Sequence, residues 1–245
     1  MAKAAPAEQL RLLELQALDA KLKQLDHRAS QLRADPRLSD LNAGLQVAQS
    51  ELVVRATELA DTKRELVRAE GDVEQVASRI ARDEARLNSG TGLSKDLVAL
   101  QHDLASLAKR RSDLEDVELE ILERLDDVTA RQAQQQLIVD GITASLGGIR
   151  EELDGKLADV AVERESTAGN RTALAATFED GLLALYERTL AKRGLGAARL
   201  FHGTSEGSGM QLSPGDLAEI RKAPEDEIVF CPDSGAILVR SAEWN

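Results

Sequence analysis

Apolar residues recur along the first two-thirds of the chain at alternating steps of three and four. That spacing keeps one line of a helix turned toward a partner helix. The first run is Leu15, Leu18, Leu22, Leu25, Ala29 and Leu32; it resumes as Leu38, Leu41, Leu45, Ala48 and Leu52, and again as Leu66, Ala69, Val73, Val76 and Ile80. Between Leu32 and Leu38 the phase slips by one residue, across Asp35-Pro36. Proline lacks a backbone donor and clashes with the preceding turn, so a kink or short break is predicted there.

The stretch Asn88-Ser89-Gly90-Thr91-Gly92-Leu93-Ser94 then stops the helix with two glycines and small polar residues, which predicts a turn over about 88–94 with Ser94 as the next N-cap. The line restarts as Leu97, Leu100, Leu104, Leu107, Leu114, Val117, Ile121, Leu125 and Val128, and again as Val139, Ile142, Leu146, Ile149, Leu153, Leu157 and Val160. Two long apolar-seamed helices joined by a short loop bury both seams most simply as an antiparallel hairpin. Folding between Thr91 and Gly92 sets Ala7 opposite Ala176, so both patterns run out together, and residues 1–177 are assigned to the hairpin. Each arm of about 80 residues, at about 1.5 Å per residue, implies a rod roughly 120 Å long. Glycines 141, 147, 148 and 155 are expected to bend the second arm locally.

Residues 178–245 read differently. After Gly169-Asn170 a shorter amphipathic helix is predicted from Phe178 to about Lys192, stopped by Arg193-Gly194-Leu195-Gly196, with Phe178 and Tyr186 packing on the base of the hairpin. Short strands are predicted at 198–202, 210–212, 228–231 and 237–240, giving two hairpins. A small helix with Ser213 as N-cap and Pro214 as its first residue runs to about Lys222 between the second and third strands. The predicted fold is mainly α, a long antiparallel coiled-coil hairpin followed by a small α+β module.

Composition agrees with that division. The five aromatics, Phe178, Tyr186, Phe201, Phe230 and Trp244, all lie in the last 68 residues, so the hairpin must be built on Leu, Ala, Val and Ile. The net charge is −12, and residues 178–245 hold 7 basic against 11 acidic groups. Counterion release needs clustered Lys and Arg, so binding to RNA or DNA is not favoured. One cysteine excludes an intrachain disulfide and suits a reducing cytoplasm. The stretch MAKAAPAEQL lacks a signal-peptide core, and no run approaches the roughly 18 apolar residues of a membrane span, so a cytoplasmic protein without membrane contact is expected.

The densest charge lies at residues 112–127, SDLEDVELEILERLDD, where eight of sixteen residues are acidic. The hairpin sets this stretch opposite residues 56–71, so ion pairs with Lys63, Arg64 and Arg68, and with Arg55 just beyond, are the first reading. The second is a docking surface for a basic partner formed by Asp113, Glu115, Asp116, Glu118, Glu120 and Glu123. Lys109-Arg110-Arg111 is read as a solvated face, not a nucleic-acid patch.

Two turns of the module, Ser205-Glu206-Gly207-Ser208 and Cys231-Pro232-Asp233-Ser234, have the spacing of the Cys-x-x-Cys pairs that converge on zinc in a ribbon, but only Cys231 is a cysteine. Together with LEDVELEILERL at 114–125, LLALYERTLAKRG at 182–194, LSPGDLAEIRKAPEDEIVFC at 212–231 and GAILVR at 235–240, the chain resembles the bacterial C4-type zinc-ribbon coiled-coil family, which includes the flagellar zinc-ribbon regulator. By that resemblance the metal positions fall on Ser205, Ser208, Cys231 and Ser234. In the family's commonest ending an Arg follows the glycine, where this chain has Ala236. Neutral hydroxyls do not replace thiolates on Zn²⁺, so no cofactor is expected and the metal positions are degenerate. A site rearranged around His202, Glu206 or Asp233 is the alternative. The preferred reading has His202 on a strand, Cys231 as an isolated half-buried thiol, and the ribbon held by Phe201, Phe230, Leu212, Ile220 and Leu238.

His27, His102 and His202 are scattered, and the chain has neither a nucleophile elbow nor a phosphate-cradling loop, so no enzyme is expected. The resemblance implies an adaptor, since members of the family bind proteins including sigma factors and secretion or flagellar components, and some contact RNA. The alternatives are a nucleic-acid regulator that reads through the ribbon, and a self-associating spacer. A monomer or weak homo-oligomer with a protein partner of unknown identity is expected.

Overall fold

The structure, a computed structural model, describes residues 3–244. The first two residues of the stretch read for a signal peptide lie outside them. Five helices and five short strands follow in the order α1 (Pro6–Arg33), α2 (Pro36–Asn88), α3 (Ser94–Ala175), α4 (Asp180–Arg193), β1 (Ala197–Phe201), β2 (Thr204–Ser205), β3 (Met210–Gln211), α5 (Pro214–Lys222), β4 (Val229–Phe230) and β5 (Ile237–Arg240). The break at 34–35 and the turn at 89–93 sit where proline and the glycine pair require them. Ser94 is the first helical residue, not the one before it. Gly169-Asn170 lies inside α3, which continues to Ala175 before α4 begins.

The chain divides into two compact units: residues 36–151, and residues 1–35 with 152–245. In the first, α2 and α3 pack antiparallel through the predicted seam. Ala48 and Ala69 on α2 and Leu114, Val128, Val139 and Leu146 on α3 are buried. Gln135 Nε2 donates to Ala48 O at 2.9 Å, the pairing that a fold between Thr91 and Gly92 demands. Small alanines on one helix facing branched side chains on the other allow close approach.

In the other unit, α1 lies along the last turns of α3. Leu25, Ala29 and Val160 form one apolar cluster, flanked by the ion pairs Lys21–Glu163 at 2.7 Å and Arg164–Asp26 at 2.6 Å. Next to it, Leu12, Leu15, Ala175, Phe178, Leu182 and Tyr186 pack with Ala197, Ile228, Ile237 and Val239, so α1, α4 and the sheet share one core. The two aromatics therefore occupy the place their sequence position implied.

The sheet order is β3-β2-β1-β5-β4. β1 pairs antiparallel with β2 and parallel with β5, and β4 pairs antiparallel with β5. The central strands β1 and β5 are buried almost throughout, as expected where helices cover the sheet. A turn with positive φ at both His202 (45°) and Gly203 (73°) joins β1 to β2, the sign pattern of a type I′ hairpin turn. His202 is thus a turn residue and not, as the sequence suggested, a strand residue. Its N–H donates to Glu243 O at 2.9 Å, which holds the uncommon conformation from outside.

α5 has the predicted caps: Ser213 Oγ accepts from Asp216 N at 3.1 Å, and Pro214 opens the helix. At its far end Arg240 donates to five carbonyls, those of Ile220, Ala223, Pro224, Glu225 and Glu227, at 2.7–3.5 Å. The last carbonyls of a helix have no intrahelical donor, and a guanidinium there meets both that need and the negative end of the helix dipole.

Candidate functional site

The four degenerate metal positions do come together. Cys231 directly follows β4, and Ser234 lies on the tight turn that leads into β5. Cys231 N donates to Ala236 O and Gly235 N to Cys231 O, both at 2.8 Å. Opposite, Ser205 ends β2 and Ser208 lies on the turn to β3, which Gly209 N closes onto Ser205 O at 2.8 Å. The two turns are pressed onto β1. A Cβ on Gly207 would sit 2.7 Å from Leu195 and 2.8 Å from Ala198, so glycine is needed for close approach.

At the centre lies the Cys231 sulfur. Ser234 N donates to it at 3.4 Å, and Ser208 Oγ stands 3.9 Å away. Ser234 Oγ in turn accepts from Ala236 N at 3.4 Å. Ser205 is fully buried, and its Oγ has no partner at hydrogen-bond geometry, although it lies close enough to Cys231 to favour the thiolate obliquely. Burial pushes the Cys231 thiol up; the Ser205 and Ser234 hydroxyls and the Ser234 and Asp233 backbone groups outweigh it, so the net shift is below the ordinary cysteine value.

Two expectations about this cluster need correction. Cys231 is only 1% exposed, not half-buried, because it belongs to an apolar cluster with Leu200, Leu212, Ile220 and Leu238. Phe230 is not part of that packing; it is 46% exposed on the outer face of the edge strand β4. Phe201 is half-buried, with its ring against His202 and beneath the Arg199 guanidinium. Leu200, the alternate residue of β1, fills the place given to Phe201.

Of the residues of a rearranged site, Asp233 is exposed and the other two are engaged elsewhere. Glu206 accepts from Arg199 Nε at 2.9 Å, and His202 packs on Phe201. Among the described residues, no three His, Cys, Asp or Glu side chains gather as a metal group. One thiol with three neutral hydroxyls does not fit Zn²⁺, whose closed sites take Cys and His donors.

The acidic stretch lies on α3, and its carboxylates are largely outside ion pairs. Among the expected partners, Arg55 binds Glu58 at 3.1 Å and Glu51 at 3.3 Å on its own helix, and Arg64 binds Asp61. Lys63 and Arg68 do not pair with the stretch. Neighbours one turn away on the same helix are closer than groups across a seam, so the expected cross-hairpin pairs give way to local ones. Glu115 pairs with Arg111 on α3 at 2.7 Å, and the pair that does cross to α2 is Arg124–Glu65. Asp113, Asp116, Glu118, Glu120 and Glu123 form no ion pair among the described residues. Lys109, Arg110 and Arg111 are all exposed. Among the described residues, no helix is long and apolar enough to cross a membrane.

Residues 15–194 match the family model of a CT398-like coiled coil hairpin domain, and residues 204–238 that of a C4-type zinc ribbon domain. An uncharacterized protein of Mycobacterium tuberculosis is 36% identical over 238 residues, covering 97% of both chains. A solved structure from Mycobacterium smegmatis shares 30% identity with a TM-score of 0.84, covering 98% of this chain and all of the other. The structure of CT398 from Chlamydia trachomatis superposes with a TM-score of 0.62 at 19% identity, over 95% of this chain and 97% of that one, a likeness of fold.

Proposed function

This chain belongs to the CT398-like coiled-coil hairpin family, and from that premise we propose that it is a non-enzymatic adaptor, with the hairpin as an extended helical surface and the ribbon module as a second docking face. The observation that carries this reading is the surplus of large apolar side chains outside the hairpin seam. Leu119 and Leu137 are 59% and 71% exposed on α3, while the inner line of the same helix is already filled. A helix with apolar residues on two faces has a use for more than one neighbour. The acidic module argues against the alternative, a nucleic-acid regulator, because it offers phosphate no basic patch.

The ribbon works in this reading without zinc. The Cys231 cluster keeps the two turns together by apolar packing and the Cys231–Ser208 contact, and Arg240 ties the end of α5 to β5. The protein is a monomer or weak homo-oligomer of the reducing cytoplasm. Affinity capture from native extract with the full chain tests the adaptor role: specific, saturable retention of a protein is expected, and retention of nucleic acid alone would overturn it. Metal analysis of chain purified without chelator tests the ribbon, where about one zinc per chain would refute the metal-free reading.

A further inference from the structure

α3 carries a second apolar line. Its inner line, with Leu114, Val128 and Val139 buried, faces α2. Leu119, Leu122, Asp126, Ala130, Ala133 and Leu137 fall on another, roughly 140° round the helix at about 100° per residue. Leu122 is 37% exposed, and Ala130 and Ala133 are exposed with it. Steps of three and four keep this line straight over roughly 27 Å, the spacing of a surface that receives a helix.

The flanks of the line carry one sign of charge. Asp116 and Glu123 lie on one side and Glu118 on the other, with Asp126 within it, and none of the four is in an ion pair among the described residues. Arg55 and Arg64 of α2 are held by their own helix, and Lys63 and Arg68 make no ion pair with these flanks among the described residues. Acidic flanks about an apolar line are complementary to basic flanks about another, and Asp126 inside the line would fix register by meeting a cation there. A second copy of this chain suits the surface poorly, since each copy has a net charge of −12 and would present the same acidic flanks.

We propose that the outer face of α3 between Glu115 and Leu137 docks an amphipathic helix of another protein, one whose apolar stripe is bordered by Lys and Arg. The proposal rests on the adaptor reading and narrows it to a surface and a partner chemistry.

The probe is a fluorescein-labelled synthetic helix of three heptads, with Leu at the two seam positions and Lys elsewhere, titrated with the full chain. A scrambled peptide of equal composition and a version with Glu for Lys accompany it. Binding by the Lys/Leu helix is expected to weaken about tenfold or more in Leu119→Ser/Leu122→Ser and in Glu118→Lys/Asp126→Lys, and less than about twofold in Glu70→Lys/Glu74→Lys, an equal charge change on α2. Circular dichroism checks that each variant keeps its helices. Equal losses in strip and control variants, equal binding of the scrambled peptide, or no binding would overturn the proposal.

Parallel capture from extract separates the two levels. If Glu118→Lys/Asp126→Lys retains the same proteins as wild type, the docking line is wrong and the adaptor role stands. If neither chain retains a protein, both fail.

Discussion

Tyr186 Oη donates to Asp19 Oδ2 at 2.7 Å, joining α4 to α1 across 167 positions of sequence. Asp19 also accepts from Arg171 Nε at 3.1 Å, so one carboxylate ties three helices of the same unit. Gln16, one turn earlier on α1, accepts from Gly196 N at 2.7 Å and Ala197 N at 3.2 Å and so anchors the start of β1. The fully buried Tyr186 ring fills the space between these contacts.

Tyr186→Phe keeps the ring and removes the donor to a charged acceptor, so a loss of about 1.5–3 kcal/mol in denaturant unfolding is expected. The pH dependence gives a second readout. Burial first, and then the bond to Asp19, raise the Tyr186 pKa above its ordinary value near 10. The unfolded tyrosine therefore loses its proton first. The stabilisation is fully present below about pH 10 and declines as pH rises beyond it. Wild type should lose stability more steeply than Tyr186→Phe in that alkaline range, and parallel curves would contradict the assignment.

Gly196 should tolerate no side chain. Its absent Cβ would fall on the Tyr186 ring, which is walled in on its other sides. Gly196→Ala is expected to cost about 1–3 kcal/mol by overpacking. Pairing it with a smaller residue at 186 should recover part of that loss, which a double-mutant cycle would measure.

Arg240→Met removes the donor to five carbonyls at the end of α5 while keeping the apolar stem. A loss of about 2–3 kcal/mol is expected, with faster hydrogen exchange concentrated at 220–227, where those carbonyls lie. Uniform acceleration over the module would argue against a local clamp.

Two turns converge on Cys231 within the segment that matches a C4-type zinc ribbon, and three of the four positions that the resemblance gives to metal are serines. Chelator is therefore expected to leave the thermal midpoint of wild type unchanged. The triple variant Ser205→Cys/Ser208→Cys/Ser234→Cys supplies four thiols at the same places and is expected to take up about one zinc per chain, with a midpoint that chelator lowers. Metal titration with a chromophoric competitor measures both. Failure of the triple variant to bind zinc would mean that the serines have moved the turns out of a convergent arrangement.

Much of the fold was legible because its determinants are local or periodic. The three-four spacing set which faces of α2 and α3 meet, proline and the glycine pair marked the breaks, and Ser213-Pro214 with Asp216 announced α5. The site was legible only in part. Spacing brought Ser205, Ser208, Cys231 and Ser234 together correctly. It could not reveal that Ser205 is buried with its hydroxyl unpaired, that Leu200 and not Phe201 faces the core, or that His202-Gly203 makes a hairpin turn, since histidine is a weak signal for positive φ.

By itself, then, the order of residues determined the long helices, their seams, the caps of α5 and the convergence of two turns, because each depends on neighbours within a few positions. Tertiary structure alone decided the parallel pairing of β1 with β5, the three-helix knot at Asp19, the local ion pairs that leave the acidic face of α3 uncompensated, and the depth of Cys231. Those features turn on which of several chemically equal partners lies nearest in space, and proximity between distant segments is a property of the folded chain.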